Sequence, residues 1–194
     1  MLDMQVELCK YWSLEQMVLE TGINWDLSKR VVAILERNSK FAAGVFTEAG
    51  LYSTSLPRNT AEDAIKAVNG GELELSTLRE HISVLSAVHD VAEGKGSAGI
   101  PGIKLDFSGL TPKQKSVMKA ALKIPRGSTA SYGELANRAG VPGAARFVGN
   151  VMATNRLGPI VPCHRVVSST GLGGYGPGLS VKVKILKKEG AFAD

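Results

Sequence analysis

The chain has 194 residues, 44% hydrophobic and 21% charged, a balance that suits one or two compact domains and excludes a disordered, collagen-like or purely coiled-coil chain. The formal charge of +5 hides two unlike halves: residues 1–105 carry 10 Lys and Arg against 14 Asp and Glu, residues 106–194 carry 13 against 4. A basic half suggests an anionic partner, nucleic acid first, although a surface made basic for solubility explains the charge equally well.

The N-terminus holds Asp3 and Glu7 and lacks the basic-then-apolar pattern of a signal peptide, so secretion is not expected. No run of about 18 apolar residues occurs, so no membrane span is expected. Met4–Trp12 reads as a strand and Leu27–Arg37 as a helix. Phe41–Thr47 and Leu51–Leu56 read as two strands about a turn at Glu48-Ala49-Gly50, the second ended by Pro57. Thr60 is placed to cap a helix through Val68, closed by Asn69-Gly70-Gly71. Leu75, Leu78, His81, Ile82, Leu85 and Val88 follow helical spacing, which predicts an amphipathic helix over Ser76 to about Ala92. The acidic half is therefore an α/β unit.

Glu93-Gly-Lys-Gly-Ser-Ala-Gly-Ile-Pro-Gly102 holds four glycines and a proline in ten residues, and the charge balance reverses just beyond it. This is the candidate boundary between an N-terminal domain, 1–100, and a C-terminal domain, 106–194. In the second, Thr111-Pro112 is an N-cap followed by proline at the first helical position, and Val117, Met118, Ala121 and Leu122 form an apolar stripe. Ser131-Tyr-Gly-Glu134 fits the capping box, opening a helix that ends near Gly140. Val141-Pro142-Gly143 breaks the chain, and a second helix runs from Ala144 to about Thr154. Two short helices across a Pro-Gly break read as a helix-turn-helix, a pattern shared by many helical hairpins that touch no DNA. A last helix over about Ser180–Lys188 carries Lys182, Lys184, Lys187 and Lys188, which suit its dipole or a phosphate backbone.

Chemistry concentrates in Asn155-Arg-Leu-Gly-Pro-Ile-Val-Pro-Cys-His-Arg-Val-Val167. Cysteine is a strong nucleophile once deprotonated, and a nearby imidazole can take its proton. His164 is adjacent to Cys163, but neighbouring side chains in an extended segment point apart, so a direct bond needs a turn or a bridging water. Arg165 adds positive potential that favours the anion, and Pro162 stiffens the approach. Glu189 is a candidate third member orienting His164, with a solvated glutamate as the plain alternative. On these residues alone, a buried structural cysteine beside a satisfied histidine is the commoner arrangement.

Gly171-Leu-Gly173-Gly-Tyr-Gly176 contains a literal G-x-G-x-x-G, but the residues left before Asp194 cannot supply the second strand and acidic residue of a dinucleotide site. A loop closing over a pocket fits better. With two cysteines, Cys9 and Cys163, the chain has neither a disulfide framework nor a four-cysteine zinc site. A reducing cytosol or nucleus fits, and a cytoplasmic protein is expected. Cys9, His81 and His89 are too scattered for a metal site, so neither metal nor cofactor is expected.

Taken together, Pro162-Cys-His-Arg-Val166 with Asn155 eight residues before the cysteine, Ile124-Pro-Arg-Gly127, Ser131-Tyr-Gly-Glu-Leu-Ala136, Ala144-Ala-Arg-Phe-Val-Gly-Asn-Val-Met152, Gly174-Tyr175, Gly178-Leu179, Lys182 and Leu186-Lys-Lys-Glu-Gly190 resemble the O6-alkylguanine-DNA alkyltransferases, or methylated-DNA–protein-cysteine methyltransferases. The match is dense over about residues 106–190 and displaces the structural reading of Cys163. The resemblance implies an α/β (α+β) fold, with a small ribonuclease-H-like N-terminal domain and a mostly helical C-terminal domain carrying a helix-turn-helix. It implies a monomer that repairs double-stranded DNA by binding its minor groove, flipping O6-alkylguanine out of the stack and transferring the alkyl group irreversibly to Cys163.

By the same resemblance, His164 takes the thiol proton through a water, Glu189 orients His164, and Tyr132 protonates the departing guanine. Arg146 fills the vacated stack, while Ala144, Ala145 and Asn150 meet the DNA. Asn155 is the hinge to the active-site loop, the Val166 backbone faces the guanine amino group, and Tyr175 and Gly176 form a lid. Many relatives carry proline directly after the hinge asparagine, where this chain has Arg156. Three other readings compete: a sensor that binds the lesion without reacting, a helix-turn-helix regulator, and a cysteine hydrolase that turns over.

Overall fold

Val31-Val-Ala-Ile-Leu35 is apolar at every position, as a strand covered on both faces must be. The computed structural model describes residues 30–69, 71, 73–95 and 102–192. There the run forms strand β1 (Val31–Arg37) in place of the helix expected over Leu27–Arg37; the strand expected at Met4–Trp12 lies outside the described residues. Val32 and Ile34 pack with Ala43, Val45, Ala64 and Val68 on one side of the sheet. Val31, Ala33 and Leu35 join Phe46, Leu51, Leu85 and Val88 on the other. Burial on both sides erases the alternation by which a strand is recognised, and a short apolar run then reads equally as helix.

β1 passes into β2 (Lys40–Thr47) through Asn38 and Ser39, both at positive φ (54° and 55°), the backbone of a two-residue hairpin turn whose twist matches its strands. β3 (Gly50–Thr54) pairs antiparallel with β2, and β4 (Glu74–Leu75) pairs parallel with β1, giving the order β3-β2-β1-β4. The hairpin expected over 41–56 is thus β2 and β3. Helix α1 (Ala61–Ala67), capped by Thr60 accepting from the Asp63 N–H, covers one face, and α2 (Arg79–Ala92) covers the other. α2 starts three residues later than expected because Ser76 is still held to the sheet, its N–H donating to Val32 O at 2.7 Å.

After the glycine-rich stretch the chain runs along the open edge of β3: Leu51 N donates to Lys104 O and Asp106 N to Leu51 O, each at 2.9 Å. Then come α3 (Pro112–Ala121), α4 (Tyr132–Arg138), α5 (Ala145–Ala153) and α6 (Leu179–Glu189). Thr111 with Gln114, and Ser131 with Glu134, form reciprocal capping boxes that satisfy backbone N–H groups a helix start leaves open. β5 (Ala130–Ser131) pairs parallel with β6 (Val166–Val167). One hydrophobic cluster joins Val117, Met118, Leu135, Val148 and Ile160 of this part to Ala33, Phe46 and Leu85 of the sheet part. Among the described residues no helix is long and apolar enough to cross a membrane.

Gly50 permits the edge contact. Its φ is +121°, and a Cβ there would stand 2.2 Å from Lys104 O. Gly50→Ala should therefore cost about 3 kcal/mol of unfolding free energy in a urea titration, from backbone strain and overpacking. Gly140, at φ +73° with nothing near its would-be Cβ, should cost only about 1 kcal/mol when changed to Ala.

Candidate active site

Helix α6 turns Lys182, Ile185, Leu186 and Glu189 inward, the i, i+3, i+4, i+7 spacing of a buried stripe. Two of the four are charged, and the site is built on them. Glu189 is 4% exposed, and His164 and Arg165 are wholly buried. A carboxylate out of water is stable only when paired and hydrogen-bonded. Arg165 grips it bidentately, Nε to Oε2 at 2.8 Å and Nη2 to Oε1 at 2.6 Å, while its Nη1 donates to Ile124 O at 2.9 Å. His164 Nε2 lies 3.1 Å from Oε1. Burial alone would raise the Glu189 carboxyl, but the hydrogen bonds and charges of His164 and Arg165 outweigh it and hold the group at about 2.

An ionised carboxylate only accepts, so His164 Nε2 carries the proton and Nδ1 is the acceptor. Nδ1 is buried and has no hydrogen-bond partner among the described residues. Burial lowers the His164 pKa against the opposing pull of Glu189, with Arg165 and Lys182 lowering it further. The ring is neutral at neutral pH and able to take a proton. Sequence reasoning had Arg165 favouring a Cys163 anion; instead its charge is matched by Glu189, and the cation acting on the thiol is Lys182.

Cys163 begins a 3-10 turn, Cys163–Arg165, entered through Pro162. The turn replaces the extended segment that would have thrown the two side chains apart. Cys163 keeps some exposed surface, yet burial pushes its thiol above the ordinary cysteine value; the Asn155 amide and the Lys182 charge pull the other way. Asn155 braces the loop, its Nδ2 donating to Val161 O at 2.9 Å and its Oδ1 accepting from Leu157 N at 3.0 Å. Cys163 N in turn donates to Val161 O at 2.8 Å. Within this loop the Gly158–Pro159 bond is cis.

Lys182 is the residue that sequence reasoning misplaced. It is neither a phosphate ligand nor helix dressing: wholly buried, it donates to Val166 O and Leu172 O at 2.6 Å and to Gly174 O at 3.2 Å, with its pKa lowered by burial to about 8. It ties the glycine-rich loop to the strand that follows the cysteine turn. Its place on the α6 stripe, three and four residues before Ile185 and Leu186, was the available signal. The Tyr175 ring stands edge-on to His164, centroids 6.4 Å apart at 74°, and burial raises its phenol so that it stays neutral. Gly176 beside it is exposed.

The β5–β6 ladder sets Ala130 against Val166 and Ser131 against Val167, which carries Tyr132, the first residue of α4, to the same place. Gly173, at φ +67°, leaves room for it: a Cβ there would stand 2.8 Å from the Tyr132 hydroxyl. Tyr132 also borders Gly149 of α5, whose would-be Cβ lies 3.9 Å from Tyr132 Cε1. Arg146 and Asn150, at i−3 and i+1 from Gly149, are exposed, and Ala144 and Ala145 are half-buried at the helix start. Cys163, His164, Glu189, Asn155 and Tyr175 are thus linked at the cysteine loop and turn, Val166 follows the turn, and Tyr132 lies beside the glycine-rich loop at Gly173, while Arg146, Ala144, Ala145 and Asn150 belong to α5 and its start.

The two described histidines outside this group have other partners. His81 Nδ1 meets Ser76 Oγ at 2.8 Å with its ring stacked on Phe46, and His89 Nε2 meets Leu35 O at 3.2 Å. Cys9 lies outside the described residues.

Glu189 has its carboxyl at about 2 in the folded chain against an ordinary 4.5. Its ion pair therefore contributes stability above about pH 4.5 that is lost as the pH falls through that window towards 2. Glu189→Gln should remove this acid-sensitive component in calorimetric melts and, by leaving Arg165 as an unmatched buried cation, should cost about 3–5 kcal/mol at pH 7. Undiminished stability at pH 7 would contradict the assignment.

Residues 112–191 match the family model described as 6-O-methylguanine DNA methyltransferase, DNA binding domain. Over 88 residues the chain is 50% identical to the methylated-DNA–protein-cysteine methyltransferase of Mycobacterium leprae, an overlap of 45% of this chain and 53% of that protein. The chain spans about half the length of the curated relatives it matches. The fold is similar to the crystal structure of Mycobacterium tuberculosis O6-methylguanine methyltransferase, with a TM-score of 0.63 and 28% identity, covering 86% of this chain and 96% of that one. It is also similar to Mycobacterium tuberculosis OGT crystallised in complex with DNA, with a TM-score of 0.63 and 29% identity, covering 82% and 92% of the two chains. The segment that resembles the family described as 6-O-methylguanine DNA methyltransferase, DNA binding domain, is thus residues 112–191, which hold Tyr132, Cys163, His164 and Glu189.

Proposed function

We propose that this protein repairs DNA by moving the alkyl group of O6-alkylguanine onto its own Cys163, once per molecule. The observation that carries the reading is the buried His164–Glu189 contact of 3.1 Å next to the cysteine, within the segment that matches the family model. His164 Nδ1 is the acceptor for the thiol proton, delivered through a water, and Glu189 balances the imidazolium that results. The sulfur electron pair forms the bond to the alkyl carbon as the carbon–O6 bond breaks, its electrons leaving with guanine. Tyr132 donates the proton that the departing base needs. The product is a thioether with no thiolate to regenerate, so the reaction is stoichiometric.

Both resting groups are neutral, the thiol because burial raises it and the imidazole because burial lowers it. The proton therefore moves only as the sulfur attacks, which suits a nucleophile that has to stay quiet until a substrate seats.

In this reading α4 and α5 are a helix-turn-helix laid in the minor groove, with the small Ala144 and Ala145 allowing close approach and Asn150 on the DNA side. Minor-groove readout is degenerate, which suits a protein that searches for damage rather than sequence. Arg146 enters the stack in place of the flipped guanine, and Asn155 is the hinge between α5 and the cysteine loop. Tyr175 and Gly176 close over the alkyl group. Val166 O, which gives one lone pair to Lys182, keeps a second for the guanine amino group. Residues 106–194 are the DNA-binding and transfer domain, and residues 1–100 a ribonuclease-H-like support. The protein works as a cytoplasmic monomer on double-stranded DNA, without metal or cofactor.

The test is to incubate the protein with duplex containing O6-methylguanine and record its intact mass. One methyl group on Cys163 at one equivalent of repair is the expected result. An unchanged mass despite tight lesion binding would make the protein a sensor, and repeated turnover would make it a hydrolase. Cys163→Ala should lose transfer and keep DNA binding within about twofold, since phosphate contacts supply most of the affinity.

A further inference from the structure

Arg156 stands at the head of the Asn155–Cys163 loop, and its side chain is spent far from the reacting atoms. Its guanidinium carbon stands over the Tyr52 ring, 3.9 Å from the centroid. The Arg30 guanidinium lies at the same distance over that ring, so Tyr52 meets two cations. Arg156 Nε donates to Tyr52 O at 2.8 Å, and Nη2 donates to Asp106 O at 3.1 Å and Ser108 O at 2.8 Å. Its own carbonyl accepts from Thr54 N at 2.9 Å. One residue thus joins strand β3, the segment that runs along its edge and the cysteine loop.

Asn155, immediately before it, holds Leu157 N and Val161 O; its Nδ2 and the Cys163 Sγ both face Gly158, 3.5 and 3.6 Å from where a Cβ would stand there, and the amide favours the thiolate. A flat, five-donor group is required, because an ammonium cannot stack on a ring and fork to carbonyls on two segments at once.

We propose that Arg156 is a positioning residue: by clamping the loop onto the sheet it holds the Asn155 amide, and through it the Cys163 thiol, in the arrangement that reacts. The proposal rests on the reading of Cys163 as the alkyl acceptor and gives the sheet-bearing part a task in the chemistry. Freed from the clamp, residues 155–157 shift, the amide leaves the sulfur, and a contact that favours the thiolate is lost.

The test compares the full chain with Arg156→Ala, Arg156→Met (apolar stem, no donor) and Arg156→Lys, after thermal melts establish which variants are folded at the assay temperature. Two readouts follow: the pH dependence of iodoacetamide modification mapped by mass to Cys163, and single-turnover methyl transfer from O6-methylguanine duplex, resolved into saturating rate and half-saturating DNA concentration. Arg156→Ala and Arg156→Met should move the modification profile to higher pH and lower the saturating rate about tenfold or more, with half-saturation changed less than twofold; Arg156→Lys should recover part of the rate. Wild-type profile and rate in a folded Ala or Met variant would overturn the proposal, and so would failure of both variants to fold, which marks a purely structural residue. The iodoacetamide arm needs no alkyl donor. A wild-type chain inert to the duplex, with a shifted profile in the variants, would retire the transfer reading and keep the clamp, and an active wild type with unmoved variants would do the reverse.

Discussion

A carboxylate buried at the end of a helix must be matched where it sits, and Glu189 is matched twice. Arg165 takes both of its oxygens, and His164 shares one of them. Those two residues are consecutive in the chain directly after Cys163, so matching the charge also dictates the path of the backbone. The chain has to wind into a tight turn to bring both side chains to one anion. The backbone geometry at Cys163 therefore follows from the electrostatics of Glu189, a group on a later helix. The same contact fixes which imidazole nitrogen is free, because the one facing an ionised carboxylate has to be the donor.

Around that anchor, α6 works by periodicity. Ile185 and Leu186 seat it in the core, and the same inward face carries Lys182 one turn earlier and Glu189 one turn later. Glu189 orders the cysteine turn, while Lys182 holds three carbonyls that connect β6 to the glycine-rich loop. A buried ammonium is expensive to desolvate, and those carbonyls are its compensation. The outcome is a helix whose apolar residues provide adhesion and whose two ionic residues provide position. On the opposite flank, Arg156 does for the start of the loop what Glu189 does for its end.

Much of the helical part was legible because caps and breaks are local chemistry. Thr60, Thr111 and Ser131 cap helices where their hydroxyls can reach a backbone N–H three residues on, and no distant contact is needed for that. β1 was illegible for the opposite reason: whether Val31–Leu35 is strand or helix depends on what lies above and below it, and both covering layers come from later in the chain. The two-residue β4 forms only because β1 is there to pair with. The turn at Asn38-Ser39 lacks the glycine that advertises such hairpins.

The candidate site divides in the same way. Cys163 and His164 stood out as residue types in a pattern, since a reactive group and its sequence neighbour can be read in order, while Tyr132, Arg146 and Asn155 entered only through the family resemblance. The work of Arg165, Lys182 and Arg156 was not evident, because each is a cation whose partner lies at least eight residues away. A sequence shows a positive charge and leaves open whether water, a phosphate or a buried carbonyl will receive it. By itself, then, this sequence determined the helix boundaries set by caps and prolines, the basic character of the second half and the segment around Cys163 where the reactive residue types collect. The tertiary structure decided which charges are buried and paired and which remain in water. Only it could, because desolvation is a property of the packed surroundings, and a residue acquires those surroundings only when the chain has folded.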